Sequence, residues 1–316
     1  MKLLSVAQAS GPVLGLLFEP YGRKPGSKAT ATQARRPVPL GVSLILSVFS
    51  LSLAYGYDVS EHETIHQAFP AASWIEVDNV HGHIHVTGYN GSAIEMTVEK
   101  TIEADSSSRM DAARREVKLD TTQSGDRLKL FVDGPFRCHC GDGNRGVNES
   151  GRRGYRVIYD FELKVPQGTS VDLATVNKGK IEVKDVAGDF DISNVNGAIE
   201  LDEMAGSGKA HTVNGGVNVA FAKNPAKNCS FQTVNGGIEV SFRPDLAADV
   251  RVKTFNGDAY TEFEATALPV TASAERRDGK FVYRSNRFSA FRIGNGGPEL
   301  KFDTLNGSVR IINRGR

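Results

Sequence analysis

A short phrase ending in Asn-Gly returns through the second half of the chain, and it constrains the fold more than any other feature. Successive asparagines are 19, 18, 21 and 21 residues apart, before one longer gap in which Asn295-Gly296-Gly297 is a candidate further unit. A unit of about 20 residues cannot bury an apolar face alone, so the units must stack on one another. The copies are Thr175-Val176-Asn177, Asn194-Val195-Asn196-Gly197, Thr212-Val213-Asn214-Gly215, Thr233-Val234-Asn235-Gly236, Thr254-Phe255-Asn256-Gly257 and Thr304-Leu305-Asn306-Gly307.

An apolar–polar–apolar triplet such as Ile238-Glu239-Val240 follows each turn, which is typical of a half-buried strand. Two architectures satisfy this pattern. In a parallel β-solenoid each unit is one coil, and the asparagines bond to each other along an internal ladder. In an antiparallel meander each Asn-Gly is a hairpin turn. The regular spacing and a second corner marker, Val186-Ala187-Gly188 and Met204-Ala205-Gly206, favour the solenoid. Asn and Gly are expected at the turns because both tolerate positive φ.

The part of the chain before the repeats is predicted to be β-rich with one short helix. Residues 106–119 predict the helix, with serines that can cap it and with Met110, Ala113 and Val117 on one face. A fainter copy of the repeat begins at Asn79. The strand candidates are Trp74 to Val86, Ser92 to Ile102, Arg127 to Val132 and Tyr155 to Val165. We divide the chain into a leader and signal segment (1–56), an N-terminal portion (57–169) and the repeats (170–316), which continue the same domain.

The first 56 residues form a separate segment by charge and hydropathy. They carry six basic residues and one acid, and Arg35-Arg36 precede an apolar run from Leu40 to Leu53 that ends at Ala54-Tyr55-Gly56. A basic flank, a short apolar run and small residues form a secretory signal pattern. A bilayer-spanning helix needs about 20 apolar residues, and this run is shorter, which favours a cleaved signal. The alternative is that the segment stays uncleaved as a membrane anchor.

The cysteines Cys138, Cys140 and Cys229 would enter an oxidising compartment on export, where pairing is the default. The first two lie in a loop rich in Gly and Arg, residues 134–154. Its segment Cys138-His139-Cys140-Gly141-Asp142 offers ligands for a soft metal ion. Structural zinc takes four ligands at wider cysteine spacing, so a disulfide or free thiols on an exposed loop are favoured over a metal site. A bridge between Cys138 and Cys140 themselves would be strained.

Three alternating histidines, His81, His83 and His85, offer a second candidate metal site, because alternate residues of a strand point to one side. The favoured interpretation is that the first repeat copy has a polar outer face, with His81 at the position of the turn asparagine.

The outward positions after the turns offer a candidate acid–base site. They are His85, Glu182, Glu200, Asn218, Glu239, Glu299 and Arg310. Carboxylates stacked about 4.8 Å apart repel one another unless a cation relieves them. Lys180 and Lys184 flank Glu182, which favours a solvated face whose charges compensate each other. A glycosidase or lyase with paired carboxylates is the alternative, by analogy with other β-helix proteins alone. The sequence holds no phosphate-binding loop, serine nucleophile elbow or metalloprotease helix motif.

Taken together, these phrases resemble a bacterial family known as putative adhesins, of unknown function, which is built from β-strand repeats and related to the head-domain type of autotransporter adhesins. The resemblance spans residues 72–312. It is carried by the segments from Val80 to Gly88 and from Leu163 to Pro166, and by the repeats, best at Thr233 to Val240. It implies a β-solenoid fold and a location in the cell envelope, and it brings no catalytic residues. The cysteine loop and the long leader depart from the family pattern.

The sequence therefore predicts an all-β, exported, non-catalytic repeat protein that is a structural or adhesin-like binding surface, without catalytic, cofactor or metal residues. Its expected location is the periplasm, the cell envelope or the outside of the cell. The alternative is a polysaccharide lyase or hydrolase on the same scaffold. The expected partner is a protein or glycan of the cell surface. Residues 57–316 hold 32 basic and 36 acidic residues, and this mildly acidic body excludes nucleic-acid binding. Membrane attachment is expected only if the signal segment stays uncleaved.

We predict that the signal segment is removed near Ala54–Gly56 on export, because the basic flank, the apolar run and the small residues end there. N-terminal sequencing of the exported protein checks this. A mature chain that still carries Leu44 to Leu53 would contradict it and would favour the membrane anchor.

Overall fold

The structure is a computed structural model that describes residues 45–46, 59–138, 146–148, 153–269, 273–277, 280–284 and 288–315. All of them belong to one compact unit, Leu40–Arg316. The predicted leader and signal segment lies outside the described residues except for the backbone of Ile45–Leu46. His139, Cys140 and Asp142 of the cysteine loop also lie outside them.

Strands dominate the described chain, and the predicted all-β class is confirmed. Among the described residues the one helix is α1 (Ser107–Glu116), between β5 and β6. The strands β1 to β26 are, in order, Ile45–Leu46, Val59–Pro70, Trp74–Asp78, Ile84–Tyr89, Ala93–Ala104, Lys118–Ser124, Arg127–Asp133, Arg137–Cys138, Gly146–Val147, Tyr155–Pro166, Ser170–Asn177, Ile181–Lys184, Phe190–Asn196, Ile199–Met204, Gly208–His211, Val217–Phe221, Cys229–Asn235, Ile238–Phe242, Ala248–Asn256, Ala259–Thr261, Ala265–Ala267, Ser273–Arg277, Lys280–Arg284, Ser289–Ile293, Glu299–Asn306 and Val309–Asn313.

The predicted helix is confirmed at α1, which ends at Glu116, three residues before the predicted end. Ser106 caps it, because its side-chain oxygen accepts a hydrogen bond from the backbone N–H of Arg109 at 3.3 Å. Met110, Ala113 and Val117 are buried, as their spacing on one face predicts. The helix therefore covers part of the core next to β5 and β10.

Each repeat unit places one strand in each of two eleven-stranded sheets. The strand after the Asn-Gly turn joins the first sheet, in the order β1-β2-β5-β10-β4-β12-β14-β16-β18-β26-β20. The strand before the turn joins the second sheet, in the order β21-β24-β19-β25-β17-β15-β13-β11-β3-β7-β6. Neighbouring units pair in parallel in both sheets. The meander alternative, which requires antiparallel neighbours, does not describe these units.

Antiparallel strands extend both sheets beyond the repeats. They are β1, β2 and β5 next to β10 in the first sheet, and β6, β24 and β21 in the second. Both sheets are consequently mixed and open at their ends. The predicted parallel β-solenoid is thus not confirmed, because antiparallel strands flank the parallel units in both sheets.

Equivalent apolar residues of successive units lie directly opposite each other and fill the space between the sheets. The first residue after each turn is buried in the units that begin at Ile84, Ile181, Ile199, Val217, Ile238 and Val309. Aromatic rings fill the later units: the ring centroids of Phe221 and Phe242 are 5.1 Å apart, and those of Phe231 and Phe302 are 5.4 Å apart. The alternation read from the sequence therefore predicts the core correctly.

The last repeat unit does not stack in chain order. Strand β25 lies between β17 and β19 in the second sheet, and strand β26 lies between β18 and β20 in the first sheet. The Asn306 unit therefore separates the Asn235 unit from the Asn256 unit. The prediction of a further repeat unit at Asn295 is wrong. Asn295 lies in the turn between β24 and β25, and β24 runs antiparallel to β19. The upstream copy at Asn79 does join the stack, through β3 and β4.

The first glycine of each Asn-Gly turn lies against the turn of the neighbouring unit. A Cβ atom on Gly236 would lie 2.0 Å from the carbonyl oxygen of Gly215, which no side chain can occupy. A Cβ on the next residue, Gly237, would lie 3.4 Å from the carbonyl oxygen of Ser308, an ordinary contact. The two adjacent glycines therefore differ sharply in the space around them.

We predict that Gly236→Ala lowers the free energy of unfolding by about 1–3 kcal/mol, because the added methyl group forces two units apart. The matched variant Gly237→Ala should stay within about 1 kcal/mol of wild type, because the methyl group fits and alanine restricts the unfolded chain. Denaturant melts measure both. Equal losses in the two variants would contradict this account of the turn.

Candidate functional site

The turn asparagines line one corner of the stack and bond to one another. Each side-chain Nδ2 donates to the Oδ1 of the asparagine in the neighbouring unit. The distances are 3.0 Å from Asn196 to Asn177, 2.9 Å from Asn214 to Asn196, 2.8 Å from Asn235 to Asn214, 2.7 Å from Asn306 to Asn235 and 2.7 Å from Asn256 to Asn306. His81 lies opposite Asn177, at the equivalent position. The predicted ladder of asparagine side chains is present.

This ladder differs from the prediction in place and in backbone geometry. It is not internal, because Asn196, Asn235 and most other members are exposed at the corner. Nor do its asparagines adopt positive φ; among described non-glycine residues Lys178, Asp185 and Glu203 do. Asparagine occurs at this position because its side-chain amide can donate a hydrogen bond to one neighbouring unit and accept one from the other. Tolerance of positive φ is not the reason.

A second, buried ladder lies two residues before each asparagine. The hydroxyl of Thr233 donates to the carbonyl oxygen of Gly215 at 2.8 Å, and Asn194 donates its amide to Gly179 at the same distance. The other members are Thr175 to Gly82, Thr212 to Gly197, Thr304 to Gly236 and Thr254 to Gly307. Sequence reasoning missed this role, although the recurring threonine was visible in the phrase.

We predict that Thr233→Val lowers the free energy of unfolding by about 1–3 kcal/mol, because it leaves the partly buried Gly215 carbonyl without the hydrogen bond from the buried Thr233 hydroxyl. Asn235→Ala removes two exposed hydrogen bonds and should lower it by about 1 kcal/mol. The control Glu239→Gln should change it by no more than about 0.5 kcal/mol. Denaturant melts of the three variants compare them. A silent Thr233→Val beside a destabilising Glu239→Gln would overturn the assignment and make Glu239 a site candidate.

The predicted outward row is largely confirmed on the first sheet. His85, Glu182, Glu200, Asn218, Glu239 and Arg310 lie side by side across six parallel strands. Glu299 is the exception: it lies in the second sheet, opposite Asp249. The reason is that Glu299 begins the strand before a turn, whereas the other members follow one.

The acids of this row are held by cations. Lys180 Nζ lies 2.9 Å from Glu182 Oε1 and 2.5 Å from Glu200 Oε2, and Arg310 lies 3.7 Å from Glu239. The hydrogen bond from Lys180 lowers the pKa of Glu182. A general acid at neutral pH needs a raised pKa, so this carboxyl is shifted in the opposite direction. The predicted compensation of charge is thus present around Lys180, while Lys184 lies opposite Asp202.

The hollows in the described surface include two with polar linings. One of about 200 Å³ lies where β5, β10 and β4 meet, and Glu162 lies beside His85 within it. Small-molecule sites usually enclose about 300–1,000 Å³. The other, of about 440 Å³, is open and has Asp245 as its one acidic lining residue. The first is lined by His85, Thr87, Glu95, Thr97, Glu162, Leu163 and Lys164.

The three histidines do not share one face of a strand. Strand β4 begins at Ile84, and Gly82 adopts φ +112°, which interrupts the alternation between His81 and His83. His83 Nδ1 accepts from the backbone N–H of Lys180 at 3.1 Å, and His85 Nε2 lies 3.3 Å from the Thr87 hydroxyl. Within the described residues no group of three or more His, Cys, Asp or Glu is arranged to hold a metal ion.

The described cysteines differ in state. Cys138 is disulfide-bonded, while Cys229 is a free thiol buried in β17. Burial raises the pKa of Cys229 to about 11, so the thiol stays protonated and is a poor nucleophile or metal ligand. Arg137, at the start of the cysteine loop, forms a buried ion pair with Asp78 at 3.0 Å, which fixes this end of the loop to β3.

Three large apolar side chains are exposed on the strands that flank the Asn256 and Asn306 turns, and we call these three residues the corner patch. Phe255, Tyr260 and Leu305 are 63%, 55% and 46% exposed. Phe255 and Leu305 occupy the second position of the repeat phrase in neighbouring units, where earlier units carry partly buried valines. The Tyr260 hydroxyl donates to Asp258 Oδ2 at 3.1 Å. Sequence reasoning missed this patch, although the change from Val to Leu and Phe was its signal.

Comparison with known proteins finds only distant structural likeness. No protein-family model and no curated protein matches the chain. A putative cell adhesion protein from Clostridium sporogenes covers 80% of this chain and 100% of its own, at 9% identity and a TM-score of 0.35. A putative adhesin from Bacteroides fragilis covers 79% and 97%, with the same identity and TM-score. A putative lipid binding protein from Parabacteroides distasonis covers 79% and 96%, at 12% identity and a TM-score of 0.26. At such low TM-scores these likenesses carry no argument about function.

Helix α1 is too short and too polar to cross a bilayer, and the described part of the chain contains no other helix that could do so.

Proposed function

We propose that this chain is an exported, non-catalytic protein of the cell envelope that binds a surface protein or glycan. In this proposal the parallel units form a short β-solenoid, the antiparallel strands flank it, and its outer surface makes the contact. The observation that carries the proposal is the corner patch, in which Phe255 and Leu305 are exposed on neighbouring strands, because adjacent exposed apolar side chains commonly mark interaction sites.

The polar outer face of the repeat units supports binding rather than chemistry. The Glu182 and Glu200 carboxylates share Lys180, and the asparagine amides bond to one another. Groups that already satisfy each other are poorly placed to transfer a proton to a substrate. Aromatic residues such as Phe255 and Tyr260, in contrast, are enriched where proteins contact a partner.

A polysaccharide lyase or hydrolase remains the second candidate, and the hollow beside His85 is the place for it. Glu95, Glu162 and His85 line that hollow, so it contains both acids and a base. Its volume of about 200 Å³ suits a small part of a sugar chain only.

We predict that beads coated with the exported protein bind envelope fragments of the source cell through the corner patch. The triple variant Phe255→Ser, Tyr260→Ser, Leu305→Ser should bind about tenfold less, because it removes the exposed apolar area without touching the buried ladder. The control variant Glu162→Gln, in the hollow, should bind like wild type. Bead retention is measured on the same fragments for each variant.

Equal retention of the triple variant and wild type would reject the corner patch as the binding site. New reducing ends or unsaturated sugars released from envelope polysaccharide, and abolished by Glu162→Gln, would replace the proposal with the enzyme. Matching thermal melts of the variants exclude unfolding as the cause.

A further inference from the structure

The Asn-Gly turns of the repeat units differ in how firmly the neighbouring units hold them. Asn235 Nδ2 donates to Asn214 Oδ1 at 2.8 Å, and Asn235 Oδ1 accepts from Asn306 Nδ2 at 2.7 Å. The backbone N–H of Gly236 donates to the carbonyl oxygen of Asn306 at 2.9 Å. The units on both sides therefore hold the side-chain amide of this turn, and one of them also holds the backbone nitrogen that follows it.

The Asn256 turn is the last in the asparagine ladder, and it is held from one side only. Asn256 Nδ2 donates to Asn306 Oδ1 at 2.7 Å. Among the described residues no further unit lies beyond this turn, and neither Asn256 Oδ1 nor the N–H of Gly257 has a hydrogen-bond partner there. Gly257 is exposed, whereas the equivalent glycines of the other ladder turns are buried or half-buried. Two fewer hydrogen bonds thus resist a change of conformation at Asn256 than at Asn235.

An asparagine followed by glycine can modify itself, because glycine has no side chain to obstruct the backbone nitrogen between them. That nitrogen loses its proton and attacks the side-chain carbon Cγ, so that a new C–N bond closes a succinimide ring. The bond from Cγ to Nδ2 breaks, and the amide group leaves as ammonia with the displaced proton. Water then opens the ring at either of its carbonyls, which gives aspartate or isoaspartate. The reaction requires no other reactant, and asparagine is accordingly among the thermolabile residues of proteins.

We propose that Asn256 is a site of spontaneous conversion to aspartate and isoaspartate, and that the ladder protects the asparagines inside it. For the attack, the side chain must leave its ladder contacts and the glycine N–H must be free. Three hydrogen bonds must break at Asn235 and one at Asn256. Because each hydrogen bond contributes roughly a factor of five, Asn256 should react about 25-fold faster than Asn235.

The conversion changes the surface next to the corner patch. It places a carboxylate directly after Phe255 and two positions before Asp258, and it removes the donor of the last ladder bond to Asn306. Isoaspartate also adds a carbon atom to the backbone of the turn. The end of the stack thus acquires negative charge with time, while the turns inside the ladder keep their amides. This inference does not depend on what the corner patch binds.

The test is a peptide map of the folded protein after incubation at mildly alkaline pH, which favours loss of the proton from the glycine nitrogen. Trypsin cleaves after lysine and arginine except before proline, so residues 254–276 and 228–251 form separate peptides that each contain one Asn-Gly pair. Mass spectrometry measures the fraction of each peptide in which the amide has become an acid. We expect conversion about 25-fold faster in the Asn256 peptide than in the Asn235 peptide.

Unfolding provides the matched control, because the ladder is then absent and the two pairs differ little in local sequence. In denaturant the two peptides should convert at nearly equal rates. The variant Asn256→Ala moves the end of the ladder to Asn306, whose Oδ1 loses its donor, so conversion of Asn306 should rise about fivefold. Equal rates in the folded protein, or a difference that persists in denaturant, would overturn the proposal. Unchanged conversion of Asn306 in this variant would overturn the protective role of the ladder.

Discussion

The repeat stack depends on one close approach, between the backbone of a turn glycine and the carbonyl of the turn glycine in the next unit. A Cβ atom would lie 1.8 Å from the neighbouring carbonyl oxygen at Gly179 and at Gly197, and 2.0 Å from it at Gly307. The threonine hydroxyl, or the Asn194 amide, donates a hydrogen bond to that same carbonyl from the buried side of the turn. At the exposed side of the turn, the asparagine side chains of neighbouring units bond to each other. Threonine supplies the buried hydrogen bond, asparagine the exposed one, and glycine the space for the close approach. Because each residue is needed for a different contact, the three recur together in almost every repeat unit.

Because every unit offers the same contacts on both sides, the stack does not itself specify the order of its members. The Asn306 unit lies between the Asn235 and Asn256 units and bonds to both, as any other unit would. Its place is set by the connection, residues 262–298, whose strand β24 pairs antiparallel with β19 and brings the chain back beside it. The last unit therefore lies between two units that both precede it in the chain. A chain built from interchangeable units needs such specific connections to select one order among several.

Local patterns predict the elements of this fold well and their arrangement poorly. The alternation in Ile238-Glu239-Val240, the cap at Ser106 and the asparagine ladder follow from spacing and side-chain chemistry alone. The inserted last unit, the antiparallel ends and the position of Glu299 depend on which strand pairs with which, and identical units leave that choice open. The same ambiguity explains the candidate site. The sequence predicts that Lys180 compensates the charge of Glu182, but that Lys180 also reaches Glu200 depends on which strands are neighbours.

A repeat that satisfies its own polar groups leaves little for a partner to bind, so specific recognition is expected where the repeat is broken. One such place occurs in the last units, where Phe255 and Leu305 replace the partly buried valines of earlier units and their side chains are exposed. Exposed apolar side chains in water are unfavourable for the isolated chain. Their cost to the free protein is offset if another surface covers them, so in the proposed function the regular units support the fold and the irregular ones make the contact.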